Sequence, residues 1–147
     1  MASPLKAARD RIATRWGALT PPSDPGRTYH RLRGRTFLDG ASGHRTFWFE
    51  PPNQGTVEDF SRSLLPLRHQ FVGQVRLSTA GTGIDEAFSA IADEAVLLIG
   101  AVNLDPGNYP AGVQYLQALG YRVHALDSGD LVLAITFDCI TEEADGA

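Results

Sequence analysis

The chain contains a single cysteine and no long apolar segment. Because Cys139 stands alone among 147 residues, no disulfide can form within one chain. No apolar run approaches the roughly 20 residues needed to span a bilayer, and the amino-terminal residues contain no apolar signal segment. We therefore expect a protein that is made and used in the cytoplasm, with Cys139 as a buried structural thiol in an apolar strand.

The sequence also lacks the patterns of common metal, phosphate and hydrolase sites. Its histidines lie too far apart to suggest zinc ligation: His30, His44, His69 and His124. No Gly-x-Ser-x-Gly elbow occurs, and residues 81–83 are too short a glycine pattern to indicate a phosphate loop. In each of the carboxylate pairs Asp85/Glu86 and Asp93/Glu94, the two side chains point about 100° apart on a helix, so they do not share a site. Both pairs predict a solvated helix face. We expect no catalytic residues, no metal and no cofactor.

Positive and negative residues are unevenly distributed along the chain. Residues 1–76 carry a balance of +6 and residues 77–147 a balance of −10, which together give the net charge of −4. This split predicts a surface with two faces of opposite sign, suited to ordered stacking on partners of opposite charge. A solvated surface that serves only solubility is the alternative.

The first half of the chain predicts one helix followed by strands. A helix over residues 4–16 begins at Ser3-Pro4, an N-cap followed by proline at the first helical position. Its apolar stripe is Leu5, Ile12 and Trp16. Short strand-like runs at 28–33 and 35–38 and a clear strand at 44–50 form a β-hairpin region. Residues 53–69 are polar and mixed, with a weak helical turn expected over 58–67.

The second half predicts a strand over 69–78, a helix over 84–99 and a closing hairpin. The apolar stripe of the helix is Ile84, Phe88, Ile91 and Ala95. After a loop we expect a short helix over 111–119 that ends at Gly120, and then strands on either side of the turn 127–130. The last strand is largely apolar on both faces, so we expect a helix on one face and a neighbouring subunit on the other.

Strands that precede and follow a helix without regular alternation indicate an α+β fold. We expect a single domain over 1–147 with a mixed, mostly antiparallel sheet packed by the N-terminal helix and the central helix. Its parts are the helix region 1–20, the β-hairpin region 27–50 and a β-α-α-β-β core over 70–142.

Two features of the 27–50 region suggest binding to a partner. Its arginines, on alternating strand positions, are expected to line a channel around DNA or to bind an acidic partner: Arg31, Arg33, Arg35 and Arg45. A solvated edge strand that its charges protect from aggregation is the alternative. The glycine-rich loop that follows is expected to be ordered by a partner through Asp39, Gly40, Ser42 and Gly43. Candidate subunit-interface residues are Phe47, Trp48, Val132 and Ile140. Packing in the core is the alternative explanation for the aromatic residues Phe47 and Trp48.

Several elements together resemble a known family. They are the basic helix 4–16, the strand 45–50, the strand 73–77 that leads into helix 84–99, and the small turn followed by an apolar strand over 127–137. In order, length and ending this layout resembles the tail terminator proteins of long-tailed bacteriophages. The resemblance covers most of residues 4–142.

The resemblance implies a small α+β protein, with no enzymatic activity, that assembles as a homohexameric ring. Such a ring sits on the last ring of tail tube protein, stops tube growth and presents the surface that joins the head connector or stopper protein. Genomic DNA passes through its lumen. Under this interpretation the loop 39–43 contacts the tube, and the protein is found in the tail or neck of the virion after assembly in the host cytoplasm.

Three other functions remain open from the sequence. The first is another neck component, such as an adaptor or head-completion protein. Such proteins are commonly more helical or are small β-barrels, so a sheet packed by two helices favours the terminator. A small enzyme or ligand-binding domain would show a deep pocket with convergent polar groups. A DNA-binding regulator would use the arginine-rich strands and bind duplex DNA in a salt-sensitive manner.

Overall fold

The computed structural model describes residues 3–21, 28–31, 45–51, 54–57, 64–77, 84–103, 108–126 and 129–144. This part of the chain forms two helices and six strands. In order they are α1 (Pro4–Gly17), β1 (His30–Arg31), β2 (Thr46–Phe49), β3 (Gln54–Val57), β4 (Leu64–Leu77), α2 (Ile84–Asn103), β5 (Val113–Ala125) and β6 (Leu131–Ala144). The predicted fold class, α+β with a mixed, mostly antiparallel sheet packed by an N-terminal and a central helix, is confirmed.

The sheet is built around the long antiparallel pair β4 and β6. Their register runs from Leu64 opposite Ala144 to Leu77 opposite Leu131, and the sheet order is β1-β2-β4-β6-β5. On the other edge of β4, β2 and β3 occupy successive segments. Strand β5 therefore forms the outer edge beyond β6 among the described strands.

Helix α1 forms as its sequence predicts. The Ser3 side chain accepts a hydrogen bond from the Lys6 amide at 3.1 Å, which is N-cap geometry, and Pro4 occupies the first helical position. Ile12 and Trp16 are fully buried. The Trp16 indole donates a 3.1 Å hydrogen bond to the Leu98 carbonyl, which fixes α1 against α2.

An aromatic cluster fills the space between α1 and the sheet. Trp16, Phe47, Phe49, Phe71 and Phe137 have ring centroids 5.2 to 6.4 Å apart, in edge and stacked arrangements that aromatic pairs favour. Beneath the cluster lies a glycine, Gly73, where an added Cβ would come within 2.9 Å of both Trp16 and Phe137. The missing side chain makes room for the indole.

Helix α2 extends beyond its predicted end, and the expected stripe is buried in part, at Ile91 and Ala95. Its buried residues include Ile91, Ala95, Leu98 and Val102, whereas Phe88 is 52% exposed, so the prediction of Phe88 as a core residue is wrong. Val102 continues the buried stripe beyond the predicted end at residue 99. Among the described residues, no helix has the combination of length and hydropathy required to cross a membrane.

The short helix predicted over 111–119 is wrong, because these residues belong to strand β5. A register shift between Val113 and Tyr115 adds a residue to the strand, so Val113 and Leu116 both become buried. This spacing of three resembles helical periodicity. A second shift lies between Ala118 and Gly120, so Gly120 is part of the strand and does not cap a helix.

The other strand boundaries also differ from the expectations. β1 and β2 pair in parallel, so they are not the two arms of a hairpin. Strand β4 begins at Leu64, so the end of the helical turn expected over 58–67 is strand instead. Strand β3 is formed by residues expected to be irregular. The run at 35–38 lies outside the described residues.

Candidate subunit interface

The predicted arginine surface divides into an accessible part and a buried part. Arg31 on β1 donates a 2.8 Å hydrogen bond to the Asp10 carboxylate of α1, and its guanidinium lies 5.4 Å from the centroid of the Phe49 ring. A quarter of its side chain is exposed. Arg31 can therefore contribute to a partner surface, and the predictions for Arg33 and Arg35 lie outside the described residues.

Arg45 does not face a lumen or a partner, and that prediction is wrong. It is 4% exposed, and its Nε donates to a Glu94 carboxylate oxygen at 2.7 Å. The Tyr29 hydroxyl donates to the same oxygen at 2.6 Å. Burial, and then the neighbouring Glu94 carboxylate, raise the pKa of the Tyr29 hydroxyl well above its usual range. Glu94 is buried as well, which corrects the expected solvated position for this member of its carboxylate pair.

The predicted tube-contact loop, Asp39, Gly40, Ser42 and Gly43, lies outside the described residues. Of the predicted interface residues, Phe47 is 1% exposed within the aromatic cluster and Val132 is 1% exposed on the opposite face of the sheet. Neither has surface left for another subunit, so these two predictions are wrong. Trp48 and Ile140 are half-buried on that opposite face and stay predictions.

The sheet face opposite the two helices carries a polar network. The Trp48 indole and the Gln74 amide both donate to one Glu50 carboxylate oxygen, at 3.1 and 2.7 Å. Arg68 donates to Asp138, whose second carboxylate oxygen is buried without a hydrogen-bond partner among the described residues. This face is thus more polar than the largely apolar surface expected from the sequence, and the neighbouring subunit expected on it stays a prediction.

A polar cavity of about 580 Å³, which we call the α1 cavity, lies between α1 and β1. Its lining includes Lys6, Asp10, Thr14, Tyr29, His30 and Arg31. Hydrogen bonds from Lys6 and Arg31 hold the pKa of the Asp10 carboxyl below its usual value. Nearby, burial and then the charge of Arg31 lower the pKa of the Arg9 guanidinium. Positive charge exceeds negative charge around this cavity.

The outward side of α2, which we call the α2 face, combines carboxylates with apolar side chains. Its exposed residues are Asp85, Glu86, Phe88, Ser89, Asp93 and Val96. Phe88 and Val96 are 52% and 72% exposed, which is unusual for two large apolar residues on one helix face. Among the described residues, Asp85, Glu86 and Asp93 form no salt bridge.

The β5 edge is partly closed by the end of α2. The Asn103 side chain donates to the Ala118 carbonyl at 2.9 Å and accepts from the Ala118 amide at 2.8 Å, as a strand partner would. Beyond this point Leu119 and Tyr121 are 53% and 46% exposed. The second half of β5 therefore presents apolar surface.

The described residues offer little reactive chemistry. Burial, and then the Asp138 charge, raise the pKa of the Cys139 thiol to about 12, so the thiol is neutral at physiological pH. Within the described ranges, no group of three or more His, Cys, Asp and Glu side chains is arranged to hold a metal ion.

No protein-family model matches the sequence, and no curated protein is significantly similar to it.

Sequence reasoning missed both the α1 cavity and the α2 face. The cavity depends on the packing of β1 beside α1, which no local pattern shows. The α2 face had a detectable signal: four residues of α2 are acidic, Asp85, Glu86, Asp93 and Glu94, and none is Lys or Arg. Phe88 and Val96 are spaced eight residues apart, which places them on the same side as Asp85 and Asp93.

Proposed function

We propose that this protein is a structural ring subunit of the tail terminator type. In this proposal six copies form a ring that caps a bacteriophage tail tube, stops its polymerisation and joins the tail to the head connector, with genomic DNA passing through the lumen. The α+β fold, with a mixed sheet and two helices, agrees with the fold that the sequence resemblance implies.

The observation that carries the proposal is the exposure of large apolar side chains on two different elements. Phe88 and Val96 are exposed on α2, and Leu119 and Tyr121 are exposed on the edge strand β5. Exposed apolar side chains grouped in this way mark surfaces that a partner covers. A subunit that uses two different surfaces makes head-to-tail contacts, and such contacts close into a ring when the rotation between neighbours closes.

The proposal is tested by adding the purified protein to tail tubes assembled from tube protein. A terminator should bind tube ends, form six-fold rings there and arrest further elongation. Tubes that elongate equally with and without the protein, and that carry no density at their ends, would contradict the proposal. Binding along the sides of the tubes is the control for nonspecific adhesion.

A second candidate function, binding of a small anionic ligand, is favoured by the α1 cavity. Its volume of about 580 Å³ lies in the range of ligand pockets, and Lys6, His30 and Arg31 contribute to its lining. This function predicts that the monomer binds a small anion saturably and that Arg31→Ala loses this binding. The test compares the thermal unfolding temperature in phosphate with that in chloride at equal ionic strength. A higher unfolding temperature of the monomer in phosphate would favour anion binding over ring assembly.

A further inference from the structure

The two helices of this protein carry opposite charge. Helix α1 contains one acidic residue, Asp10, and four basic residues, Lys6, Arg9, Arg11 and Arg15. Helix α2 contains acidic residues and no basic residue. Part of the charge imbalance of the sequence therefore lies on two helices that pack on the same face of the sheet.

Around Arg31 and Lys6, one carboxylate of the described residues serves two cations. Lys6 and Arg31 both bond to Asp10, each at 2.8 Å. Arg9 is close enough to Arg31 to have its pKa lowered by it, and its Nε is buried without a hydrogen-bond partner among the described residues. Additional carboxylates beside the cavity would be stabilised by these cations.

The α2 face supplies the complementary chemistry. Asp85, Ser89 and Asp93 follow each other at a spacing of four residues and form one row on the helix surface. Phe88 and Val96 flank this row and are exposed. The α1 cavity offers a small apolar lining, from Ala13 and Gly17, beside its cations.

We propose that the α2 face of one copy docks on the α1 cavity of the next copy. This inference rests on the proposed ring function: it pairs the exposed α2 surface named there with the α1 cavity of the next copy and leaves the exposed apolar residues of β5 to another contact. The carboxylates of the α2 face pair with Lys6 and Arg31, and the flanking apolar side chains cover the apolar lining. Because the two surfaces differ, a pair of copies keeps one free surface of each kind, and added copies close into a ring when the rotation between neighbours closes.

Complementary charge-reversal variants test the contact. One variant reverses the basic surface (Lys6→Glu with Arg31→Glu), and the other reverses the acidic surface (Asp85→Lys with Asp93→Lys). Sedimentation velocity over a concentration series at low salt measures self-association. Each variant alone should associate at least roughly tenfold more weakly than the wild-type chain. Asn108→Glu, at an exposed position outside the α1 cavity, the α2 face and β5, is the control for added negative charge and should associate normally.

The mixture of the two variants gives the sharpest result. Each variant retains one intact surface, and the two reversed surfaces are complementary to each other in charge, so the mixture should recover association with the two variants alternating. A chain that carries all four reversals should recover self-association. Because Arg31→Glu removes a bond to Asp10 and risks misfolding, Thr14→Glu serves as a second variant. It adds negative charge to the cavity lining without removing an ion pair, and it should also weaken association.

Three results would overturn the inference. The first is unchanged association in the variants, and the second is a mixture that associates no more strongly than either variant alone. The third is a wild-type chain with no self-association even at about millimolar concentration, which is the weak end of measurable affinity. The tube-capping assay remains separate: if wild-type and reversed variants cap tubes equally well, this contact is wrong while the proposed function stands.

Discussion

Arg45 and Glu94 form an ion pair in the interior of the protein, with Nε and Oε1 2.7 Å apart and both side chains at most 5% exposed. The pair joins the start of β2 to the middle of α2 across 49 residues of sequence. Arg45 adopts a left-handed backbone conformation with φ of 57°, which is uncommon for a residue other than glycine. The ion pair therefore holds the chain at a conformation that Arg45 would not favour alone.

Removal of one member of this pair should destabilise the fold strongly. In Glu94→Ala the buried guanidinium loses a carboxylate, and we expect a loss of about 3 kcal/mol in the free energy of unfolding. The neighbouring Asp93→Ala, on the exposed side of α2, should change it by less than about 0.5 kcal/mol. Urea unfolding followed by circular dichroism measures both. Equal effects of the two variants would contradict this description of the interior.

Gly73 should not tolerate a larger side chain. A methyl group there would lie 2.9 Å from the rings of Trp16 and Phe137, so Gly73→Ala should cost about 1 to 3 kcal/mol through overpacking. At Gly120, also in the sheet, an added Cβ meets no heavy atom of the described residues within 4 Å, and Gly120→Ala is the matched control. Chemical denaturation compares the free energies of unfolding of the two variants. If Gly73→Ala leaves this free energy unchanged, the aromatic cluster can rearrange at no cost, which would contradict the prediction.

The Asn103 side chain should protect the edge of β5. Asn103→Ala removes both hydrogen bonds to the Ala118 backbone and should cost about 1 kcal/mol or more. Hydrogen exchange of the Ala118 amide should become faster in the variant, while exchange of the Leu133 amide in β6 stays close to wild type. Unchanged exchange at Ala118 would mean that another group protects this edge.

The thiol of Cys139 should be unreactive in the folded protein. Its pKa is raised to about 12 and its side chain is fully buried, so the thiolate is rare and inaccessible at pH 8. Alkylation should require denaturant, whereas an added cysteine in Ser89→Cys, on the exposed α2 face, should react rapidly. Stoichiometric labelling of the native wild-type chain would contradict the buried position.

The stability contributed by Asp10 should disappear in acid. Hydrogen bonds from Lys6 and Arg31 hold the pKa of the Asp10 carboxyl below that of the unfolded chain, so this contribution is complete at neutral pH. It is lost as the pH falls through the lowered pKa, below about pH 4. The stability difference between wild type and Asp10→Asn should therefore shrink as the pH falls from 5 to 2.5. A difference independent of pH would exclude this linkage.

Local patterns predicted the elements whose signals are complete within a few residues. Helix α1 follows from its Ser3-Pro4 start and its Ile12 and Trp16 stripe, and β6 follows from a turn and an apolar run. Strand β5 was mistaken for a helix at its start because a bulge gives Val113 and Leu116 a helix-like spacing. The burial of Glu94 could not be predicted, because it depends on Arg45 and Tyr29, which are distant in sequence.

The same limit applies to the candidate interface. Charge patterning indicates two surfaces of opposite sign, but the residues that the strand patterns indicate for an interface include Arg45 and Phe47, which are buried. An arginine or phenylalanine on a strand has the same local sequence signature whether it faces a partner or the core. The α1 cavity arises where β1 packs beside α1, and such a contact is set by the whole sheet order.

The central claim is ring assembly, and mass analysis of the purified protein tests it most directly. Light scattering across a concentration series, with negative-stain imaging of the largest species in the presence of tail tubes, should show six-subunit rings in solution or at tube ends. A protein that remains monomeric at every concentration and leaves tube ends bare would contradict the account.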